Sequence, residues 1–300
     1  MKISIIIVHY NTTELLATCL DSIIKKTNNV DYEIIVIDNN SPDRSCLSLQ
    51  KKYPQVTFIF LDKNLGYGGA NNYGFRIAKG EYIFILNPDT SFVNNVPFLL
   101  YDFMKTQKYV GIIGPKLLNP DLTFQRSYGK FFSIYKLLFE LFHLYNIYSR
   151  LTYYLFERRK INEEQSITVD WVTGAALMIP RDVYKRLEGF DCSFFLYSEE
   201  MDLCARVKKI GLKIVYFPSA KLIHLRGAST SKKPYQLIIN RYQGIKLFAN
   251  KHLTKKQKFI LRSIIFCGLV FRIFITKYIP IYSNVERKKR LEAYIKVLNG

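Results

Sequence analysis

The sequence predicts an α/β protein whose core is a parallel, doubly wound sheet, and two observations lead to that prediction. Over the first 120 residues, short and almost continuously apolar segments alternate with segments in which apolar residues recur every three or four positions. Strands that are apolar on both faces are typical of parallel sheets covered by helices on both sides. The helical segments between them supply the crossover connections that a parallel sheet needs.

The elements of this first part are assigned in order from composition and periodicity. Runs of Ile, Val and Phe without polar alternation predict buried strands, and apolar residues three or four apart predict helices. The predicted strands are residues 3–8, 33–37, 56–61, 82–86 and 110–113. The predicted helices are residues 13–26, 47–53, 68–78 and 96–106.

The later part of the chain is less regular. Residues 131–160 are rich in aromatic side chains and form either a lid or a segment that dips into an interface. The predicted strands that follow are residues 169–179, 213–217 and 221–225. The predicted helices are residues 182–187, 199–210 and 235–250, with further helices over 255–300.

Composition limits the class of protein. A length of 300 residues with 49% hydrophobic residues allows one large domain, or one domain with an appendage, and a sizeable core. Five cysteines without a CxxC pair indicate reduced thiols in a cytosolic protein. The apolar run at residues 3–8 is too short for a signal peptide. Because no 18 residues are uninterruptedly apolar, no membrane span is predicted.

Positive charge is concentrated at the carboxyl end. The formal net charge is +20, and residues 226–300 contain 17 Lys/Arg but only 2 Asp/Glu. Such a segment needs an anionic partner, which is lipid headgroups, nucleic acid or a phosphorylated substrate. Residues 258–282 mix bulky apolar residues with regularly recurring cations. This pattern fits an interfacial helix on anionic lipid, and equally an amphipathic helix that covers the catalytic domain.

Polar residues that follow predicted strands are the candidates for chemistry. Asp38 ends one predicted buried strand, Asp89 closes the Asn87-Pro88-Asp89 turn that ends another, and His224 ends a late one. Singly, each has an ordinary explanation, such as a turn cap or a structural histidine. Together, Asp89 and His224 with two phosphate oxygens would make a site for a hard divalent cation. A neighbouring carboxylate, Glu200 or Glu199, would then accept the proton of an attacking hydroxyl.

A family resemblance rests on six strings of the sequence. They are SIIIVHYN, EIIVIDNNSPD, NLGYGGANNYG and YIFILNPDT, followed by VDWVTGAALMIPRDVY and FFLYSEEMDLCARVKKIGLKIVYFP. Over residues 3–230 the chain resembles a family 2 glycosyltransferase of the rhamnosyltransferase-like branch. The resemblance implies a GT-A fold with a mostly parallel sheet and helices on both faces. It divides residues 1–230 into a nucleotide-sugar half, 1–120, and an acceptor half, 121–230. Residues 231–300 are predicted to be a basic, apolar helical extension.

The resemblance also implies a reaction and the residues that perform it. The enzyme would transfer a sugar from a nucleoside diphosphate to a hydroxyl of a bacterial polysaccharide, with inversion at the anomeric carbon. The sugar would be a hexosyl or deoxyhexosyl unit, with rhamnose as one candidate, and the cofactor would be Mn²⁺ or Mg²⁺. The metal ligands would be Asp89 and His224, the base Glu200, and Glu199 would orient a substrate. The donor-binding residues would be Val8, Tyr10, Asn11, Asp38, Asn64, Gly66, Gly68, Asn71 and Asn87, and Trp171 and Gly174 would line the acceptor side.

The chain departs from the family pattern at two places. Asn87 stands where the family's Asp-x-Asp motif has its first Asp, and it can hydrogen-bond a ribose or sugar but supplies no charge. The acidic pair, usually Glu-Asp, is Glu199-Glu200, so the longer base must be accommodated by a setback of its helix. Asp202, two positions further on, is the alternative base.

The resemblance further implies a glycan acceptor, with a lipid-linked acceptor as a hypothesis. The basic carboxyl-terminal segment indicates an anionic membrane surface as a partner. The expected location is the cytoplasm, peripheral on the inner face of the plasma membrane. A nucleic-acid-binding protein would explain the basic tail but not the acidic residues or glycines, so no nucleic acid partner is predicted. A nicotinamide-dependent enzyme lacks its glycine fingerprint, and a sugar-nucleotide-binding protein without turnover is the third alternative.

Overall fold

The computed structural model describes residues 1–42, 46–131, 165–225, 234–279 and 282–299. The chain folds into two compact units, Met1–Phe131 with Glu164–Ser231, and Phe132–Glu163 with Lys232–Gly300. Most of the aromatic-rich segment 131–160 lies outside the described residues, so its two interpretations remain predictions. The domain boundary at residue 230 remains a prediction as well.

The first unit contains all the described strands and six of the described helices. Its strands are β1 Ile3–His9, β2 Tyr32–Asp38, β3 Val56–Phe60, β4 Tyr82–Leu86, β5 Thr90–Phe92, β6 Val110–Leu118, β7 Phe124–Gln125, β8 Tyr128–Gly129, β9 Ile167–Val169, β10 Trp171–Val172, β11 Ala176–Pro180 and β12 Lys213–His224. Its helices are α1 Thr13–Lys26, α2 Cys46–Lys52, α3 Gly66–Ile77, α4 Val96–Thr106, α5 Arg181–Arg186 and α6 Glu199–Lys209.

The main sheet has ten strands, and eight of them follow the order β3-β2-β1-β4-β11-β6-β12-β5. The other two lie off this order, with β7 paired to β6 and β9 paired to β12. Strands β1, β2, β3 and β4 pair in parallel, and β6 pairs with β12 in parallel. Strand β11 is antiparallel to both β4 and β6, so these two point the same way. The carboxyl ends of β1, β2, β4 and β12 therefore lie at the same edge of the sheet.

Two apolar layers cover the two faces of this sheet. Ile5 and Ile7 of β1 pack in the layer that contains buried residues of α1, α2 and α4. Ile6 and Val8, which alternate with them, pack in the layer that contains residues of α3, α5 and α6. The doubly wound, mostly parallel sheet with helices on both faces is thereby confirmed.

Three features of the sheet differ from the expectation. The segments 213–217 and 221–225 form one strand, β12, with a register shift between Phe217 and Lys221 where the prediction placed a break. Segment 169–179 forms three short strands instead of one. The short strands β5, β7 and β8 carry too few residues, two or three each, for a periodicity to be detected.

The second unit is helical in the part that the structure describes. Its helices are α7 Pro234–His252, α8 Lys255–Tyr278 and α9 Asn284–Asn299. Thr254 begins α8 with a capping box, in which its hydroxyl accepts from the Gln257 N–H and the Gln257 side chain accepts from the Thr254 N–H. Although Arg262 and Arg272 interrupt its apolar run, α8 is long and apolar enough to cross a membrane, with a mean hydropathy of 2.1 in its best window.

Candidate active site

The shared edge of the sheet brings Asp89 and His224 together. Asp89 ends the short turn between β4 and β5, and β5 pairs antiparallel with the end of β12, with Thr90 opposite His224. Asp89 Oδ1 lies 3.3 Å from His224 Nε2. Both side chains are buried, with relative exposures of 4% and 8%. The two predicted metal ligands, 135 positions apart in the sequence, are therefore direct neighbours.

Gln125 fixes the orientation of the His224 ring. The Gln125 amide nitrogen donates to the His224 carbonyl oxygen (3.0 Å) and to Asn119 Oδ1 (2.9 Å). Its Oε1 therefore faces His224 Nδ1, at 2.6 Å. Because an amide oxygen only accepts, Nδ1 must carry a hydrogen, and Nε2 faces Asp89.

A cation fits between Asp89 and His224. In the neutral ring, the Nε2 lone pair and the carboxylate oxygen are two acceptors in close contact with no proton between them. Asp89 Oδ1 is buried and has no hydrogen-bond partner among the described residues. A protonated ring or a bound cation would relieve this contact, and the separation of 3.3 Å lets both atoms bind one ion at the roughly 2.1 Å typical of Mg²⁺.

Asp38 and Asn11 lie at the carboxyl ends of β2 and β1, where the nucleotide is predicted. Ser41 joins them, since its N–H donates to Asp38 Oδ1 (2.7 Å) and its hydroxyl accepts from the Asn11 N–H (3.0 Å). Asp38 Oδ2 and Asn11 Oδ1 are buried without a hydrogen-bond partner among the described residues. Ser41 fixes the Asp38 carboxylate and the Asn11 backbone, and a donor from a ligand would satisfy the two oxygens without partners.

His9 and Cys46 form a second group around Asp38 that could hold a metal. His9 pairs with Asp38 across β1 and β2, and the ligand atoms of the three residues lie within 4.8 Å of one another. All three side chains are buried. A thiolate, an imidazole and a carboxylate suit Zn²⁺ better than the hard ions Mg²⁺ or Mn²⁺. The group therefore differs in chemistry from the Asp89–His224 pair.

The glycine-rich loop is shaped by contacts within the chain. Asn64 Oδ1 accepts from the Gly66 N–H (2.9 Å) and from the Asn39 amide (3.1 Å), so this acceptor is used by the turn. Gly66 has φ +72°, and a Cβ there would lie 2.6 Å from the Phe195 carbonyl oxygen. A Cβ on Gly68 would lie 2.9 Å from the Phe190 side chain. The loop thus packs tightly on the segment that leads to α6.

The other predicted donor residues lie around the same edge. Asn71 is completely buried, its amide nitrogen donates to the Tyr67 carbonyl oxygen (2.9 Å), and its Oδ1 has no partner among the described residues. The Asn87 N–H donates to the Ala175 carbonyl oxygen (2.9 Å), which ties the Asn87–Asp89 turn to the acceptor-side segment. Val8 is buried in the core, and Tyr10 is half-buried.

Glu199 and Glu200 begin helix α6, where the positive end of the helix dipole favours carboxylates. Glu199 is 4% exposed, and its Oε2 has no hydrogen-bond partner among the described residues. Burial, together with the charge of Glu200, raises the pKa of Glu199 well above its ordinary value. Burial also raises the pKa of Glu200. Burial therefore makes it harder for Glu199 and Glu200 to be ionised at the same time than for two exposed glutamates.

Tyr67 and Gly174 connect the acidic pair to the acceptor-side residues. The Tyr67 hydroxyl donates to the Gly174 carbonyl oxygen (2.6 Å), and a Cβ on Gly174 would lie 3.5 Å from the Glu200 Cβ. Burial, followed by the charges of Glu199 and Glu200, raises the pKa of Tyr67 well above its ordinary value, so it remains a neutral donor. Gly174 therefore adjoins the carboxylate that is the predicted base.

Two further candidates have structural partners. Asp202 is 1% exposed and accepts from Arg206 Nε at 2.7 Å, so its carboxylate is held in an ion pair. That pairing favours Glu200 over Asp202 as the base. Trp171 donates from Nε1 to the Lys130 carbonyl oxygen (3.0 Å), and its ring lies against Gly129. Trp171 is half-buried.

The buried carboxyl of Glu199 should make stability depend on pH. Since its pKa is higher in the folded chain than in the unfolded chain, its contribution to stability is present at low pH and is lost as pH rises toward the folded-state pKa. We therefore expect Glu199→Gln to gain stability relative to the unsubstituted chain as the pH rises from about 4.3, the ordinary pKa of a glutamate, toward the raised folded-state pKa. Melting temperatures across this range test the trend, and the exposed Glu292→Gln should show none.

The sequence reasoning did not identify three residues that hold the site. Gln125 orients His224, Ser41 joins Asn11 to Asp38, and Tyr67 bonds Gly174. Tyr67 and Ser41 lie inside the strings that carry the resemblance, which was a signal for them. Gln125 lies on the two-residue strand β7 and follows no recognisable pattern.

The fold thus places a buried Asp–His pair at the carboxyl edge of the sheet, together with a carboxyl pair that burial shifts toward the protonated form. Residues 4–187 match the family model for glycosyl transferase family 2, so the chain belongs to this family. The predicted family is confirmed, and with it glycosyl transfer as the activity and the GT-A fold class.

Curated relatives agree with this assignment. Over 233 residues the chain is 26% identical to the N-acetylglucosaminyl-diphospho-decaprenol L-rhamnosyltransferase of Mycobacterium tuberculosis, covering 73% of this chain and 75% of the relative. Over 297 residues it is 24% identical to the low-salt glycan biosynthesis hexosyltransferase Agl10 of Haloferax volcanii, covering 92% and 86%. Over 110 residues it is 41% identical to the poly(ribitol-phosphate) beta-glucosyltransferase of Bacillus spizizenii, covering 35% and 17%.

Proposed function

We propose that the chain is an inverting, metal-dependent glycosyltransferase that adds a hexosyl or deoxyhexosyl unit, with rhamnose as the first candidate, to a growing polysaccharide. The donor would be a nucleoside-diphosphate sugar. The contact between Asp89 and His224 is the observation that carries the metal dependence, because two acceptors 3.3 Å apart need a cation or a proton. Rhamnosyl and hexosyl transfer in the relatives' names support the sugar class.

The reaction would be a single displacement assisted by Glu200. Its carboxylate accepts the proton of the acceptor hydroxyl while that oxygen attacks the anomeric carbon. The bond from the anomeric carbon to the diphosphate oxygen breaks, and the electron pair leaves with the nucleoside diphosphate. Glu199, with its raised pKa, would be a protonated hydrogen-bond donor that orients a sugar hydroxyl.

Asp89 and His224 would hold Mn²⁺ or Mg²⁺ together with phosphate oxygens of the donor. When bound, such an ion offsets the negative charge that develops on the diphosphate. Asp38, Asn11 and Asn71 would bind the nucleotide and sugar, because each presents a buried oxygen without a partner among the described residues. The uncharged Asn87 would contribute hydrogen bonds only.

We also propose that the acceptor is lipid-linked and that the protein works in the cytoplasm, peripherally on the inner face of the plasma membrane. The name of the mycobacterial relative contains a diphospho-decaprenol acceptor, which supports the first part. Residues 226–300 contain 17 Lys/Arg and only 2 Asp/Glu, which supports attraction to an anionic surface.

A thermal-shift panel of nucleoside-diphosphate sugars, with and without Mn²⁺ or Mg²⁺, tests the proposed function. A ligand present at 100 times its Kd stabilises the folded state by about 2.7 kcal/mol, so the correct donor should shift Tm by several degrees. The shift should require the divalent ion. No shift with any donor would contradict the proposal, and an equal shift in EDTA would contradict the metal dependence alone.

A further inference from the structure

Helix α8 exposes a continuous apolar stripe on one side. The stripe consists of Phe259, Phe266, Val270 and Phe274, which are 73%, 60%, 47% and 57% exposed. Their spacing of seven, four and four residues places them on one helix face. A face with three exposed phenylalanines is unusual for a surface in water and marks an interaction site.

The opposite side of α8 belongs to the core of the helical unit. Leu261, Ile265 and Leu269 are buried and pack with residues of α7 and α9. Helix α9 carries the four consecutive cations Arg287, Lys288, Lys289 and Arg290. A membrane-spanning α8 would draw these charges toward the hydrocarbon or lose its core contacts. An orientation in the plane of the membrane keeps both the core and the charges in place.

A basic groove of about 360 Å³ runs beside the stripe, between α7, α8 and α9. Its cations are Lys246, Lys258 and Arg262, none of its lining residues is acidic, and Ile265 and Leu269 supply part of an apolar floor. Lys246 Nζ donates to the Val297 carbonyl oxygen (3.1 Å), and Lys258 Nζ donates to the Asn250 carbonyl oxygen (3.0 Å). Each ammonium has three N–H donors, so both retain donors for an anion.

We infer that this groove binds the phosphate headgroup of an anionic phospholipid while α8 lies in the plane of the membrane with its stripe in the interface. Charge complementarity selects the occupant. The groove places three cations and no acidic residue beside apolar surface, and a phospholipid offers a phosphate beside an acyl chain. This inference rests on the membrane association proposed above and adds to it the binding site and the orientation.

Vesicle flotation tests the groove and the stripe. We expect binding to phosphatidylglycerol vesicles at low salt and little binding to phosphatidylcholine vesicles. Lys258→Glu with Arg262→Glu should lower binding at least about tenfold, and so should Phe266→Asp with Phe274→Asp. Matched controls in the first unit are Lys108→Glu and Leu122→Asp, both at exposed positions, and these should bind normally.

Spin labels placed singly at positions 263, 267 and 274 test the orientation. The background is Cys192→Ser, with Cys267→Ser added for the labels at 263 and 274, because Cys192 and Cys267 are exposed whereas Cys19, Cys46 and Cys204 are buried. These positions span about 16 Å of helix. Equal, shallow immersion depths support the inference, whereas a graded set of depths that reaches the bilayer centre would show a crossing helix and overturn it.

Equal binding to both vesicle types, or full binding by the double-Glu variant, would also overturn the inference. The donor-induced thermal shift of the same variants reports on the glycosyltransferase site separately. If the vesicle-binding results contradict the inference while the donor-induced thermal shift persists, phospholipid binding in the groove is rejected and the glycosyltransferase activity is not.

Discussion

Replacing Glu200 by Gln should lower the rate of sugar transfer by roughly 10²–10⁴-fold, the range typical of a lost general base. The amide keeps the size of the side chain but cannot accept the acceptor's proton. Donor binding should be unaffected, because the base touches the acceptor hydroxyl. Steady-state kinetics with the identified donor would show the loss in kcat, and the donor-induced thermal shift would show intact binding.

The pH dependence of the same reaction gives a second test. Burial raises the pKa of Glu200, so activity should fall on acidification at a pH above the ordinary range of a glutamate. The residual activity of Glu200→Gln should lack this dependence. Exposed Glu292→Gln is the control and should behave like the unsubstituted enzyme. Full activity in Glu200→Gln would remove Glu200 as the base and direct attention to Glu199.

Asp89→Asn should abolish the metal-dependent part of donor binding and reduce transfer on the order of 10³-fold, because an ion at a developing diphosphate supplies several kcal/mol. Asparagine preserves the shape of the side chain but loses its charge. Calorimetric titration of Mn²⁺ in the presence of the donor measures the effect. Asp62→Asn is a matched control, since Asp62 also follows a strand of the sheet but is exposed. Unchanged Mn²⁺ affinity in Asp89→Asn would rule out this site.

Gln125→Leu should lower metal affinity less than Asp89→Asn does. It removes the acceptor that holds Nδ1 of His224 and leaves both proposed metal ligands in the chain. Loss of such an orienting partner typically costs 10–100-fold in metal affinity. An affinity equal to that of the unsubstituted enzyme would show that β12 alone positions the ring.

Much of the fold follows from the sequence because its buried strands are continuous apolar runs. The predicted helices 13–26 and 96–106 coincide with α1 and α4. The antiparallel insertion of β11 between β4 and β6 could not be predicted, since its buried residues pack the same way in either direction. The direction of β11 is set by the path of the chain through the preceding segments, and those segments show no apolar periodicity from which it could be predicted.

The candidate site shows the same limit. Asp38 and Asp89 could be found because each ends an apolar strand, which is a local pattern. The contact between Asp89 and His224 depends on the pairing of β5 with β12, and β5 has only three residues. The resemblance supplied the long-range pairing that local patterns did not. Gln125 was missed because its role consists entirely of bonds to residues distant in the sequence.

The tight packing of Gly66 and Gly68 on Phe195 and Phe190 has a consequence for engineering. Tyr67 also donates its N–H to the Phe195 carbonyl oxygen, at 3.2 Å. A chimaera that imports another enzyme's glycine-rich segment to change sugar preference would therefore misfit unless residues 189–200 were exchanged with it. The glycine-rich segment and residues 189–200 should therefore be exchanged together. Redesign of either one is expected to change both the choice of donor and the position of the base.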